Sequence, residues 1–270
     1  MSLFVLADTH LSLSTDKPMD VFGDRWSDHA ARIRENWLRV VGEEDTVVLP
    51  GDISWGMTLP EALPDLRYLH ELPGHKILGK GNHDYWWQTS SKLEAFFKKE
   101  GLSSLSILHN NAYFAEGVNL CGSRGWFCES AAPAGVDYAK IVAREAGRLR
   151  LSLLARPDPD AETLVFLHFP PVFGDFICPE ILAVLHEFGV RRCYFGHLHG
   201  QYRLPGSFEY EGILFTLVSS DYRFFLPYRI ETKEFSPEIP DISRKGLDKA
   251  DNIEYNTQVC IKGFDPEDKT

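Results

Sequence analysis

Seven side chains that can donate oxygen or imidazole nitrogen to a metal ion stand at the ends of short apolar segments. They are Asp8, His10, Asp52, Asn82, His168, His197 and His199. The carboxyl ends of parallel strands meet along one edge of an open α/β sheet, so the loops that follow them can converge on a common point. Mixed carboxylate, amide and imidazole ligands suit manganese, iron or zinc better than magnesium or calcium, which prefer oxygen alone. The pattern therefore predicts a transition-metal site.

In the first half of the chain, the segments that precede these residues alternate between strand, loop and helix patterns. Residues 3–7, 47–49 and 76–78 are apolar runs typical of buried strands. Between them, apolar residues recur at helical spacing over residues 26–40 and 59–69. This alternation predicts parallel strands whose ends carry Asp8, Asp52 and Asn82.

The second half of the chain begins with three short apolar runs at tight spacing. Residues 105–108, 112–115 and 118–121 are predicted to be neighbouring antiparallel strands. A long helix is predicted over residues 138–153 and a shorter one over 180–188, and further strands over 164–167, 193–195 and 212–219. His168 follows the first of these later strands, and His197 and His199 follow the second.

The chain has no internal repeat and no low-complexity linker, which favours one domain over residues 1–230. Residues 231–270 are charged and contain prolines. We expect them to form a poorly regular extension that packs on the same domain through Val259, Ile261 and Phe264.

The composition excludes several classes of protein. The chain has 270 residues, 44% of them hydrophobic, with 28 Lys and Arg against 39 Asp and Glu, a net charge of −11. This balance argues against stable nucleic-acid binding through phosphate contacts. The early apolar run over residues 3–7 is too short for a signal peptide or a membrane span, which predicts a cytoplasmic protein without a membrane partner. The five scattered cysteines are expected to be reduced thiols.

Taken together, the strand-end motifs resemble the calcineurin-like metallophosphoesterases. The residues that carry the resemblance are Asp8-Thr9-His10, Gly51-Asp52, Gly81-Asn82-His83-Asp84, His168 and Gly196-His197-Leu198-His199. The resemblance implies a four-layer αββα sandwich of two mixed sheets flanked by helices, with two divalent metals at one rim. It also implies hydrolysis of a small phosphate ester by attack of a hydroxide that bridges the two metals.

The resemblance also implies roles for individual residues. Asp8, His10, Asp52 and His199 would bind one metal, whereas Asp52, Asn82, His168 and His197 would bind the other, with Asp52 as the bridge. His83 would be the general acid, and Asp84 would orient a histidine or a loop. Arg124, in Gly122-Ser123-Arg124-Gly125-Trp126, is our candidate for a cation that binds the phosphate of the substrate.

The second motif departs from one branch of the family. After Asp52 the chain reads Ile53-Ser54-Trp55-Gly56, without the additional Asp and Arg of the protein serine/threonine phosphatases. The pattern is closer to bacterial phosphodiesterases and phosphomonoesterases. A nuclease, a protein phosphatase and a non-catalytic scaffold remain as alternatives. The aromatic residues near the motifs could stack on a base or simply pack the rim; they are Trp55, Tyr85, Trp86, Trp87 and Trp126.

Overall fold

The computed structural model describes residues 1–126, 135 and 137–232. Within those residues the chain forms thirteen strands and five α-helices. The strands are β1 (Leu3–Val5), β2 (Thr46–Pro50), β3 (His75–Gly79), β4 (Leu105–Ile107), β5 (Tyr113–Ala115), β6 (Val118–Ser123), β7 (Thr163–Leu167), β8 (Val172–Phe173), β9 (Phe176–Ile177), β10 (Arg192–Phe195), β11 (Ser207–Tyr210), β12 (Ile213–Leu217) and β13 (Tyr228–Ile230). The helices are α1 (His29–Val40), α2 (Leu59–Glu71), α3 (Ser90–Glu100), α4 (Tyr138–Leu154) and α5 (Pro179–Glu187).

The strands form two large sheets. The first sheet has the order β13-β1-β2-β3-β4, with β1 to β4 parallel and β13 antiparallel at the edge. The second has the order β11-β12-β10-β7-β6-β5, with four parallel central strands and antiparallel strands at both edges. The short strands β8 and β9 form a separate hairpin. Both large sheets are therefore mixed, as the resemblance implied.

Apolar side chains hold the sheets face to face and attach helices to their outer faces. Ile77 of β3 and Phe166 of β7 belong to the buried layer between the two sheets. Ile33 of α1 and Leu66 of α2 pack on the outer face of the first sheet. Leu149 of α4 belongs to the core on the outer face of the second. The architecture is a four-layer αββα sandwich, which confirms the predicted fold class.

One prediction about the middle of the chain was wrong. The three segments over residues 105–121 do not form one antiparallel group, because β4 pairs in parallel with β3 in the first sheet. Only β5 and β6 are antiparallel neighbours. Leu105 and Ile107 of β4 are buried in the core under the helices of the first sheet. This burial places β4 in the first sheet, after which the chain crosses to the second.

The remaining predictions of elements are confirmed with shifted ends. The long helix predicted over 138–153 is α4, and the strands predicted over 164–167 and 193–195 are β7 and β10. The predicted packing of Val259, Ile261 and Phe264 lies outside the described residues, as do Cys128 and Cys260. Cys121, Cys178 and Cys193 are buried free thiols. In the part of the chain that the structure describes, no helix has the length and apolarity needed to cross a membrane.

Candidate metal centre at the strand ends

The predicted metal-binding residues meet where the carboxyl ends of the two sheets come together. Asp8, Asp52 and Asn82 follow β1, β2 and β3 of the first sheet, whereas His168 and His197 follow β7 and β10 of the second. A parallel bridge between Ala7 and Ser219 joins the sheets at this rim. The backbone N–H of His197 donates to both oxygens of Asp8, at 3.1 and 2.9 Å.

Six of the seven predicted ligands form two clusters whose donor atoms lie within 4.8 Å of one another. The first cluster is Asp8, His10 and His199, and the second is Asp52, His168 and His197. In the first, Nε2 of His10 lies 3.2 Å from Nε2 of His199. Each cluster joins a carboxylate from the first sheet to at least one imidazole from the second. Either cluster could hold a metal ion.

The other predicted contacts tie the two clusters together. Oδ1 of Asn82 lies 2.6 Å from Nε2 of His168, which places the amide beside the second cluster. Oδ2 of Asp52 lies 3.5 Å from Nε2 of His168 and 3.6 Å from Nε2 of His10. Asp52 therefore stands between the clusters, in a position from which one carboxylate could contact two ions.

Burial dominates the electrostatics of the centre. It raises the pKa of Asp8 to about 6, and it raises the pKa of Asp52, helped by the neighbouring charges of Asp8 and Asp84. Burial also lowers the pKa of His10 and His168 and brings that of His197 to about 3. These three imidazoles are therefore neutral, which is the form that binds metals.

His199 is the exception among the imidazoles of the centre. Burial alone would lower its pKa, but the carboxylates of Asp221, Asp8 and Asp52 outweigh that effect and raise the pKa to about 9. The Asp221 carboxylate, at 2.9 Å from Nδ1, is the nearest of these. A carboxylate behind an imidazole is a common support for a metal-binding histidine, because it fixes the tautomer and the orientation of the ring.

The donor set fits cations. Two carboxylates, Asp8 and Asp52, are buried side by side, and no Lys or Arg among the described residues forms an ion pair with either of them. Nδ1 of His10 and Nδ1 of His168 are buried and lack a hydrogen-bond partner in the described part of the chain. Buried polar atoms without a hydrogen-bond partner are rare in proteins unless an ion or a water molecule contacts them. Divalent ions at the two clusters would neutralise the carboxylates and use imidazole lone pairs.

The backbone at the centre is held in uncommon conformations. Four candidate ligands have left-handed φ angles: Asp8 at 58°, His10 at 44°, Asp52 at 52° and His197 at 68°. Such conformations cost about 1–3 kcal/mol each in non-glycine residues and cluster at functional sites. The close approach of the loops also requires Gly81, because a Cβ there would overlap the carboxylate of Asp52.

Asp84 clamps the loops that carry Asp52 and Asn82. Its carboxylate accepts the N–H groups of Gly81, Asp52 and Ile53 at 2.8, 2.9 and 2.8 Å, and the indole N–H of Trp86 at 3.1 Å. We predicted that Asp84 orients a histidine or a loop, and these contacts are with loops. Trp86 is fully buried, which favours packing over base stacking for this side chain.

His83 and Arg124 lie at the margins of the two clusters. The N–H of His83 donates to Oδ1 of Asp52 at 2.8 Å, and its ring lies 4.5 Å from Trp55. Burial lowers the pKa of His83 to about 4. The Trp55 ring also stacks on His10, at 5.1 Å. Nη2 of Arg124 lies 3.4 Å from Glu145, outside both clusters.

Two acidic residues at the centre were not predicted. Asp221 follows β12 and accepts from Gly200 N–H at 3.0 Å and from the Tyr202 hydroxyl at 2.9 Å, besides contacting His199. The same signal, an acid after an apolar strand, could have found it. Asp65 accepts from Leu13 N–H at 2.8 Å and joins two motif loops through Ser54. Asp65 lies on the buried face of α2 and does not follow an apolar strand, so the sequence pattern did not identify it.

Comparisons with known proteins identify the family of the chain. The family model for calcineurin-like phosphoesterases matches residues 1–201. The gene 66 protein of Mycobacterium phage L5 is 35% identical over 78 residues, 29% of this chain and 37% of that protein's length. The structure of phosphopantetheinyl hydrolase from Mycobacterium tuberculosis covers 87% of this chain and 98% of its own, with a TM-score of 0.53 and 13% identity. A protein of unknown function from Aquifex aeolicus covers 84% and 95%, with a TM-score of 0.45 and 17% identity. Because the family model covers most of the chain, the chain belongs to the calcineurin-like phosphoesterases.

Proposed function

We propose that this enzyme hydrolyses a small phosphate mono- or diester with two divalent transition-metal ions, manganese, iron or zinc. The observation that carries the proposal is the position of Asp52 between two clusters of His and Asp donors. Asp8, His10 and His199 would hold one ion and Asn82, His168 and His197 the other, with Asp52 shared. When bound, a pair of ions lowers the pKa of a water and neutralises phosphoryl oxygens.

The protein's own contribution is to hold these donors in place. Asp84 fixes the loops of Asp52 and Asn82 through backbone amides, and Asp221 fixes the ring of His199. Such supports are worth about 10–100-fold in metal affinity or activity in metalloenzymes. Because both carboxylates are buried, water does little to screen their attraction for a cation.

His83 is proposed to act on the leaving group of the substrate. It is held through its backbone by Asp52, and its ring lies 5.7 Å from the ring of His10. The imidazole is therefore beside the centre without being part of either cluster. The imidazolium form of His83, which its lowered pKa makes the minor form near neutral pH, would give a proton to the ester oxygen as the bond to phosphorus breaks and would become the neutral imidazole. The Tyr85 hydroxyl, 3.5 Å from Nδ1 of His83, would help to orient the ring.

The test is hydrolysis by protein from which metals have been removed and to which Mn²⁺ is then added. The substrates are p-nitrophenyl phosphate, bis-p-nitrophenyl phosphate, cyclic nucleotides and phosphopeptides. We expect Mn²⁺ to restore hydrolysis of at least one of the first three, and Asp52→Ala to abolish it. Asp160→Ala, which removes an exposed carboxylate elsewhere, is the matched control and should keep the activity. Activity that survives metal removal, or Asp52→Ala, would contradict the proposal.

A further inference from the structure

Three basic side chains follow strands near the rim, and a fourth lies on α4. We call them the basic cluster: Lys80 after β3, His109 after β4, Arg124 after β6, and Arg148 on α4. All four are half-buried. The strands come from both sheets, so the basic cluster spans the rim between the sheets. Its fourth member, Arg148, is contributed by α4.

The positive charges of the basic cluster are only partly compensated. Glu145 is 1% exposed and is paired with Arg148 at 2.5 Å and with Arg124 at 3.4 Å, through the same oxygen. Nε of Arg124 is buried without a hydrogen-bond partner in the described part of the chain. The Lys80 ammonium group takes part in none of the ion pairs formed among the described residues, although the charges of Asp84 and Glu145 act on it. One carboxylate therefore serves two guanidinium groups, and the Lys80 ammonium group lies near them outside these ion pairs.

The cations are close enough to affect one another. Burial lowers the pKa of Lys80; among the neighbouring charges, Arg124 and Arg148 lower this pKa further, whereas Asp84 and Glu145 raise it. His109 is affected in the same way, by burial first and then by Arg148, Lys80 and Arg124. Partly buried like charges repel one another; Glu145 offsets part of this repulsion, and a bound anion would offset more of it. The chain as a whole carries a net charge of −11, which makes such a concentration of cations unusual on this surface.

The basic cluster borders the place where a bound phosphate ester would lie. Lys80 stands two residues before Asn82 in the same loop. The backbone carbonyl of Arg124 accepts the N–H of His168 at 3.2 Å and that of Phe169 at 2.9 Å. Asn82 contacts His168 of the second cluster, at 2.6 Å between Oδ1 and Nε2. The guanidinium of Arg124 lies 4.7 Å from the ring of Trp126, which restricts its orientation.

We propose that the basic cluster binds a second anionic group of the substrate, a phosphate or carboxylate separate from the phosphate that is hydrolysed. This inference rests on the proposed function and narrows its substrate class to phosphate esters with two anionic groups. Guanidinium groups suit such an anion because their planar N–H donors match its oxygens, and Lys80 adds a further positive charge. The Arg124–Glu145–Arg148 contacts alone could be explained as ion pairs that connect α4 to the loop after β6. Lys80 takes no part in those ion pairs, so its role discriminates between the two explanations.

The experiment compares ligands that differ only in their distal charge. Alkylphosphonates and α,ω-alkane bisphosphonates of matched chain length are titrated into the Mn²⁺-loaded protein by isothermal calorimetry. We expect one chain length at which the bisphosphonate binds about tenfold more tightly, the usual effect of a new charge-assisted contact. Lys80→Gln should remove most of this preference. Lys92→Gln, which removes an exposed lysine from α3, is the matched control and should retain it.

A second variant tests the role of Arg148. Because Arg148 is paired with a buried carboxylate, the folding of this variant must also be checked. Arg148→Gln should also reduce the preference, and the melting temperature of each variant shows whether the fold is intact. Equal binding of both ligand classes at every chain length would overturn the proposal, as would a preference that survives in the double variant of Lys80 and Arg148. Simple chelation of Mn²⁺ by bisphosphonates would leave Lys80→Gln unchanged and would overturn it too. Absence of hydrolysis of any phosphate ester would instead count against the proposed function.

Discussion

Gly196 directly follows β10 and lies against Asp8 and Ala7, which follow β1 of the first sheet, and replacing it by alanine tests how tightly the centre is built. Its N–H donates to the carbonyl of His168 at 3.1 Å. A Cβ at this position would lie 2.5 Å from Oδ2 of Asp8 and 2.6 Å from Cβ of Ala7. The φ angle of Gly196 is outside the left-handed region, so alanine would meet no backbone strain. The substitution is therefore a purely steric perturbation.

The expected effect follows from the size of the overlap. The 2.5 Å contact with Asp8 must lengthen to the 3.4 Å of ordinary van der Waals contact, so Asp8 or the loop must shift by about 0.9 Å. Misplacement of a reacting or binding group by about 1 Å can cost about 10²-fold in rate. Overpacking in a buried site costs about 1–3 kcal/mol of stability. Gly196→Ala should thus lower the hydrolysis rate about hundredfold and weaken metal binding in the first cluster.

The assay measures the rate of p-nitrophenyl phosphate hydrolysis, metal content after dialysis, and the melting temperature. Gly147→Ala is the matched control, because Gly147 lies within α4 and a Cβ there would have no atom within 4 Å. That change should leave activity intact and stabilise the protein by about 0.5–1 kcal/mol, as Gly to Ala does within helices. If Gly196→Ala binds metal and turns over substrate as the unmodified protein does, the steric reasoning is wrong.

Three further predictions address the chemistry, the support of the ligands and the fold. His83→Asn should retain the metals but lower kcat by about 10²–10⁴, with a smaller loss for p-nitrophenyl esters than for alkyl esters; an equal loss would rule out proton donation. Asp221→Asn should weaken metal binding by about 10–100-fold, measured by competition with a chelator, because His199 loses a charged partner; unchanged affinity would contradict this. Lys76→Met should lower the free energy of unfolding in urea by about 1–3 kcal/mol, since the buried ammonium donates to the carbonyls of Leu72 and Gly74. Unchanged stability would show that these carbonyls find other partners.

The convergence of the strand ends could be predicted because it depends on the local pattern alone. Asp8, Asp52 and His168 each follow an apolar run, and parallel strands bring such ends to one rim. The order in which the strands pair was harder to predict from the sequence. The run over residues 105–108 is equally compatible with either sheet, and only the burial of Leu105 and Ile107 under the helices of the first sheet decides it. Pairing depends on contacts distant in the chain, which spacing alone does not show.

The supports of the site were harder to predict than its candidate ligands. Asp65 lies on a helix, where an acidic residue is usually exposed, and its burial results from loops that are distant in sequence. The edge strand β13 is only three residues long and pairs with β1 from the far end of the described chain. Likewise, the basic cluster draws on four separate elements. Its members share no motif, so only their arrangement in space shows that they belong together.

The most direct test of the account is the metal content of the fully active enzyme, measured by elemental analysis together with its hydrolysis rate. The two clusters, with Asp52 between them, predict two transition-metal ions in each active chain. Activity should rise with occupancy and reach its maximum when both clusters are filled. A preparation that hydrolyses phosphate esters at its full rate while holding almost no metal would contradict the central claim.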